Sequence, residues 1–101
     1  MESIIFYYRN TCPHSKMMLT AFKKHQVIHT LLDVSQQTSE QATQLKELTS
    51  GYLSVPTLQF PHGEILIEPP VNQCIQHIQN KYPHLIKMAP TFWQTLFRKK
   101  G

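Results

Sequence analysis

Ile4-Ile5-Phe6-Tyr7-Tyr8, running on into Arg9-Asn10-Thr11-Cys12-Pro13-His14-Ser15, is the stretch on which the fold turns. Five consecutive branched or aromatic residues suit a strand covered on both faces, not one with a face in water. The polar residues after Tyr8 break it. Pro13 then suits the first position of a helix, where its missing N–H costs nothing. Downstream, Met17, Met18, Ala21 and Phe22 fall on a shared buried stripe that runs to about residue 25, with Lys16, Lys23 and Lys24 facing water. The last two lysines also favour the negative end of the helix dipole.

Outward from that segment the elements alternate. Residues 27–32 read as a second strand, and residues 35–39 as a polar turn. Thr38 with Gln41 three places later fits a capping box, and Ala42, Leu45 and Leu48 give the following helix one apolar side. Gly51 ends it. Residues 55–60 hold a third strand with Pro56 at its mouth, and Pro61-His62-Gly63 turns into a fourth over residues 64–68, which predicts an antiparallel hairpin. Pro69-Pro70 opens a third helix carrying Val71, Cys74, Ile75 and Ile78 at helical spacing. A helix joins the first two strands, so they pair in parallel. The expectation is an α/β fold with the thioredoxin-like order β-α-β-α-β-β-α, a four-stranded mixed sheet, and an additional C-terminal helix. Residues 1–80 form the domain. Residues 81–101 form an extension, in which Phe92, Trp93, Leu96 and Phe97 precede Arg98-Lys99-Lys100 as a short amphipathic helix.

Composition narrows the function. The 101 residues contain two cysteines, Cys12 and Cys74, too few for a disulfide-stapled secreted scaffold or a four-thiolate zinc site. A formal charge of +4 permits an anionic partner, yet the basic residues form no dense run outside the C-terminus. Nucleic acid is not the expected partner, because no stripe of charge interleaves with aromatics. The six histidines show no metal-ligand spacing, and no metal is expected. The acidic start and the short apolar run do not make a signal peptide, no stretch is long enough to span a membrane, and a cytoplasmic, reducing setting follows as the expectation. Docking of the tail to a partner or an anionic membrane is the lesser reading beside packing on the domain.

The chemistry centres on Cys12. A sulfur at the start of a helix lies over the unpaired N–H groups of the first turn, which favour thiolate over thiol. Arg9, three residues upstream, and Lys16, in the first helical turn, are placed to add positive charge. Ser15 stands where a second cysteine would close an intramolecular disulfide, so a mixed disulfide on Cys12 needs an external thiol to resolve it. His14 borders the cleft. A cis Val55–Pro56 bond would turn the Val55 backbone toward Cys12, free to pair with an extended thiol peptide. Cys74, on an apolar helical stripe, reads as core.

Thr11-Cys12-Pro13-His14-Ser15, with Arg9 before it and Val55-Pro56-Thr57 downstream, resembles the glutaredoxin family over residues 3–80. The resemblance implies a thiol–disulfide oxidoreductase that reduces mixed disulfides of the deglutathionylation type. Cys12 would be the nucleophile, surrounded by Thr11, Pro13, His14 and Ser15. Arg9, Lys16, Val55, Pro56 and Glu68 would bind the thiol substrate. His14 replaces a frequent tyrosine. Glutathione or a similar low-molecular-weight thiol would be co-substrate, disulfide-containing or glutathionylated proteins would be partners, and no cofactor would be tightly bound. This chain departs from many relatives at Leu66-Ile67-Glu68-Pro69-Pro70-Val71, where they carry Gly-Gly-x-Asp; Pro69 and Pro70 also remove two N–H donors, and Glu68 would answer an amino group in the partner thiol. Two further readings stay open: a non-catalytic binding or adaptor protein on the same fold, and a monothiol iron–sulfur cluster carrier, against which Pro13 counts.

Overall fold

A computed structural model describes residues 2–87. The elements are β1 (Ile4–Tyr8), α1 (Pro13–Lys24), β2 (His29–Asp33), α2 (Glu40–Leu48), β3 (Thr57–Gln59), β4 (Ile65–Ile67) and α3 (Val71–Lys81). Short 3₁₀ turns occupy Pro61–Gly63 and Pro83–Leu85, the latter an additional helical turn after α3. The sheet runs β2-β1-β3-β4, with β1 and β2 parallel and the other pairs antiparallel. This is the α/β thioredoxin-like arrangement expected from the element order. The amphipathic helix expected around residues 92–97 lies outside the described residues.

β1 is central because its side chains serve two cores. Ile4 and Phe6 point to one face, where they meet Met18 and Phe22 of α1 and Cys74, Ile75 and Ile78 of α3. Tyr7 and the half-buried Ile5 point to the other, against Val34, Ala42 and Leu45. The alternation is the period of two of a strand, and it explains why β1 is apolar throughout. Phe6 packs edge-on to Phe22 with ring centroids 5.1 Å apart.

Several boundaries shift from expectation. β2 starts at His29, because Val27 is drawn into an isolated antiparallel bridge with Ile86. The strands of the hairpin are shorter than residues 55–60 and 64–68. Val55 and Pro56 lie outside β3, and the left-handed Glu68 (φ 49°) ends β4. α2 is capped by Ser39, not Thr38: the Ser39 hydroxyl accepts the Ala42 N–H at 3.1 Å, and no capping box with Gln41 forms. Met17, expected in the buried stripe of α1, is 62% exposed. The buried positions are Ser15, Met18 and Phe22, spaced by three and four, and Met17 falls beside them on the rim of a groove toward α3.

Packing continues past residue 80. Tyr82, Leu85 and Ile86 are buried in the β1–α1–α3 core. The Leu85 carbonyl accepts the Ile28 N–H at 2.7 Å, and the Lys87 N–H donates to the Gln26 carbonyl at 2.8 Å. Tyr82 also stacks on Phe60 and donates its hydroxyl to Glu64, fastening the β3–β4 hairpin to the end of α3. No described helix is long and apolar enough to cross a membrane.

Candidate functional site

Two turns bring the site together. The Cys12 N–H donates to the Arg9 carbonyl at 3.0 Å, which folds the loop after β1 back on itself and presents Cys12 as the N-cap of α1. Pro13 is the first helical residue, and the Cys12 carbonyl accepts the Lys16 N–H at 3.0 Å. The sulfur does the work usually left to a serine or aspartate oxygen: it accepts the Ser15 N–H at 3.4 Å. The second turn holds Val55 and Pro56, joined by a cis peptide. The Val55 carbonyl lies 3.9 Å from the Cys12 sulfur and accepts from the thiol.

Cys12 is half-buried, and competing forces set its acidity. Burial pulls the thiol pKa up. Against it stand the Ser15 hydroxyl, the Ser15 N–H and the His14 N–H, all of which favour the thiolate. The charge of Glu68 opposes them, and the net displacement is below the ordinary value of a thiol. The Ser15 hydroxyl is fully buried and makes no hydrogen bond of ordinary geometry among the described residues.

The expected positive charges do not contribute to this balance. Arg9 acts instead on Asp33 at the end of β2. There the Ser35 hydroxyl and N–H hold the carboxyl below its ordinary range, and the Arg9 guanidinium adds to them. The Lys16 side chain is exposed on α1, and Thr11 is exposed in the turn. His14, Ser15, Val55, Pro56 and Glu68 are therefore gathered near the Cys12 sulfur, while Arg9 and Lys16 are not among the groups that shift its acidity. Asp33 carried no signal in the sequence, since the effect of the Arg9 charge on it depends on the parallel register of Tyr8 with Asp33.

One wall of the cleft is built across the fold. The His14 ring Nε2 lies 2.8 Å from the Pro69 carbonyl, and because a carbonyl only accepts, Nε2 carries the proton. The Glu68 N–H donates to the Pro56 carbonyl at 2.7 Å. The turn between β4 and α3 is thus tied to α1 on one side and to the Val55–Pro56 turn on the other. Behind His14 an open groove continues between Met17 and Thr20 of α1 and, on the far side, Pro70 with Val71 and Asn72 of α3.

The glutaredoxin family model matches residues 4–64 of the chain. The chain belongs to the glutaredoxin family. No curated protein is similar enough to match it. Family membership supports a redox function in general. The matched segment of this glutaredoxin-family chain holds Cys12, Ser15 and the Val55–Pro56 turn, whereas Glu68, Pro69 and Pro70 fall beyond it. Among the described residues, no group of three His, Cys, Asp or Glu side chains is arranged to hold a metal ion.

Proposed function

We propose that this glutaredoxin-family chain is a thiol–disulfide oxidoreductase that reduces mixed disulfides through Cys12 in a reducing, cytoplasmic setting. The Cys12 thiolate attacks one sulfur of a mixed disulfide between a small thiol and a substrate. A bond forms between the Cys12 sulfur and the small thiol as the substrate S–S bond breaks. The substrate leaves as a thiolate that water protonates. A second molecule of low-molecular-weight thiol, glutathione or one like it, then attacks the adduct as its thiolate. It leaves as the small-molecule disulfide, and the Cys12 thiolate is restored. Ser15 cannot attack the adduct, so the external thiol is required.

The observation that supports this reading is the Cys12 sulfur at the α1 N-cap, accepting the Ser15 N–H, with a pKa below that of an ordinary thiol. The same donors would stabilise the sulfur as the leaving group when the adduct is resolved. In this reading an extended thiol peptide would pair with the Val55 N–H, which has no partner among the described residues, and with the Val55 carbonyl once the Cys12 thiol has ionised. Thiolate absorbance followed against pH tests the reading. A midpoint below that of a free thiol is expected, with the signal lost in Cys12→Ser and the midpoint raised in Ser15→Ala. A midpoint at or above the free-thiol value would refute it.

A further inference from the structure

Glu68 borders the same cleft, and the cycle above makes no use of its charge. We propose that Glu68 is a specificity-determining residue that makes the Cys12 cleft select disulfides of the aminothiol class, with a primary ammonium within a few bonds of the sulfur. The inference rests on the Cys12 reading and deepens it by naming the substrate class.

The geometry holds Glu68 where its charge can act. Its N–H is bonded to the carbonyl of Pro56, the residue after the Val55 whose own carbonyl faces the Cys12 sulfur. The next residue, Pro69, is pinned from the opposite side by His14. Glu68 is therefore fixed at both flanks while its side chain is exposed. Its φ of 49° is left-handed, a conformation that disfavours any side chain and suits glycine. The carboxylate has no ion-pair partner among the described residues.

The surroundings leave that charge uncompensated. Glu68 acts on Cys12, whereas the nearby Arg9 acts on Asp33 and the Lys16 side chain extends into water. Pro69 and Pro70 have no N–H, so the residues that follow Glu68 offer an anion no backbone donors. A carboxylate beside a thiolate repels an incoming anionic disulfide and attracts a cationic one. In Cys12 attack on a symmetric aminothiol disulfide, the Cys12–S bond forms as the disulfide bond breaks. One aminothiol leaves as a thiolate that takes a proton from water, and the other stays on Cys12. For charges a few ångströms apart in wet surroundings, the effect on rate is roughly fivefold.

Three probes of similar size separate the cases: cystamine, hydroxyethyl disulfide and dithiodiglycolate. The second-order rate of adduct formation on Cys12 is followed by mass spectrometry at low salt, in the wild type, Glu68→Gln and Glu68→Gly. The glycine variant suits the left-handed backbone and guards against a folding defect. Removing the carboxylate also changes the thiolate fraction, but equally for every probe, so the ratio of cystamine to dithiodiglycolate rates isolates the charge effect. Because the cystamine rate falls and the dithiodiglycolate rate rises, each roughly fivefold, that ratio is expected to fall roughly 25-fold in both variants, and to shrink in the wild type as salt is added. A ratio unchanged in both variants overturns the proposal and leaves the Cys12 reading intact. A wild type inert to all three probes overturns the Cys12 reading, and this proposal with it.

Discussion

Cys12 and Cys74 carry the same side chain in opposite circumstances. Cys12 has donors aimed at it. Cys74 is 1% exposed beside Ile75 and Ile78, and burial pushes its thiol up to about 12. A thiol that stays protonated in the folded chain but ionises in the unfolded one has no pH effect below the ordinary thiol pKa. Above about 8.5 it draws the chain toward unfolding by about 1.4 kcal/mol per pH unit. Cys12, whose folded pKa is depressed, adds no slope in that range, being ionised in both states. Urea unfolding of the wild type and Cys74→Ala is therefore expected to show a stability gap that narrows at this rate between about pH 9 and about pH 11. A gap constant across that range would mean that Cys74 ionises freely in the folded protein. The placements of these two residues were readable from their neighbours: Pro13 marked a helix start, and Ile75 and Ile78 marked a core stripe. The direction of the Arg9 charge was not, because Asp33 comes beside it only once β1 and β2 pair.

At the scale of elements, strong apolar patterns located the strands and helices, and weak local signals left their ends uncertain. β1 begins and ends where its five apolar residues do. Thr38 and Ser39 are both competent caps, and nothing in the sequence separates them; tertiary packing of Ala42 and Leu45 sets the helix phase and selects Ser39. The exit of α1 shows a compromise. The Val27 N–H bonds back to the Phe22 carbonyl at 2.9 Å and the Gln26 N–H to Lys23 at 3.2 Å, a Schellman closure with Gln26 left-handed at φ 55°. Glycine is the usual residue there. Gln26→Gly keeps both bonds, relieves the side-chain clash and pays some unfolded-state entropy, for a net gain of roughly 0.5–1 kcal/mol. A higher unfolding midpoint in urea, with an unchanged slope, is the expected result. A loss would show that the Gln26 side chain contributes more than its backbone strain costs.

For the whole molecule, the turn after α3 closes the core as firmly as the helices do. Leu85 is 1% exposed, and its carbonyl bonds across to Ile28. Leu85→Ala is expected to cost about 2–5 kcal/mol, the range for a buried leucine. That is a large part of the 5–15 kcal/mol that typically holds a domain of this size. Chemical denaturation measures it, and a cost below about 1 kcal/mol would mean that residues 82–87 merely drape over a domain complete without them. The hairpin and the parallel pair were evident from turn residues and helix spacing. This closing turn was not, because its apolar residues lie between prolines with no periodicity. Its position also gives the molecule a polarity. Cys12 heads α1, whereas Lys87 is bonded to Gln26 just past the other end of that helix. Twelve residues of helix span roughly 18 Å. A surface tether or fusion joined on the Lys87 side would therefore hold the protein by the pole away from the Cys12 sulfur, with the Cys12 cleft facing outward.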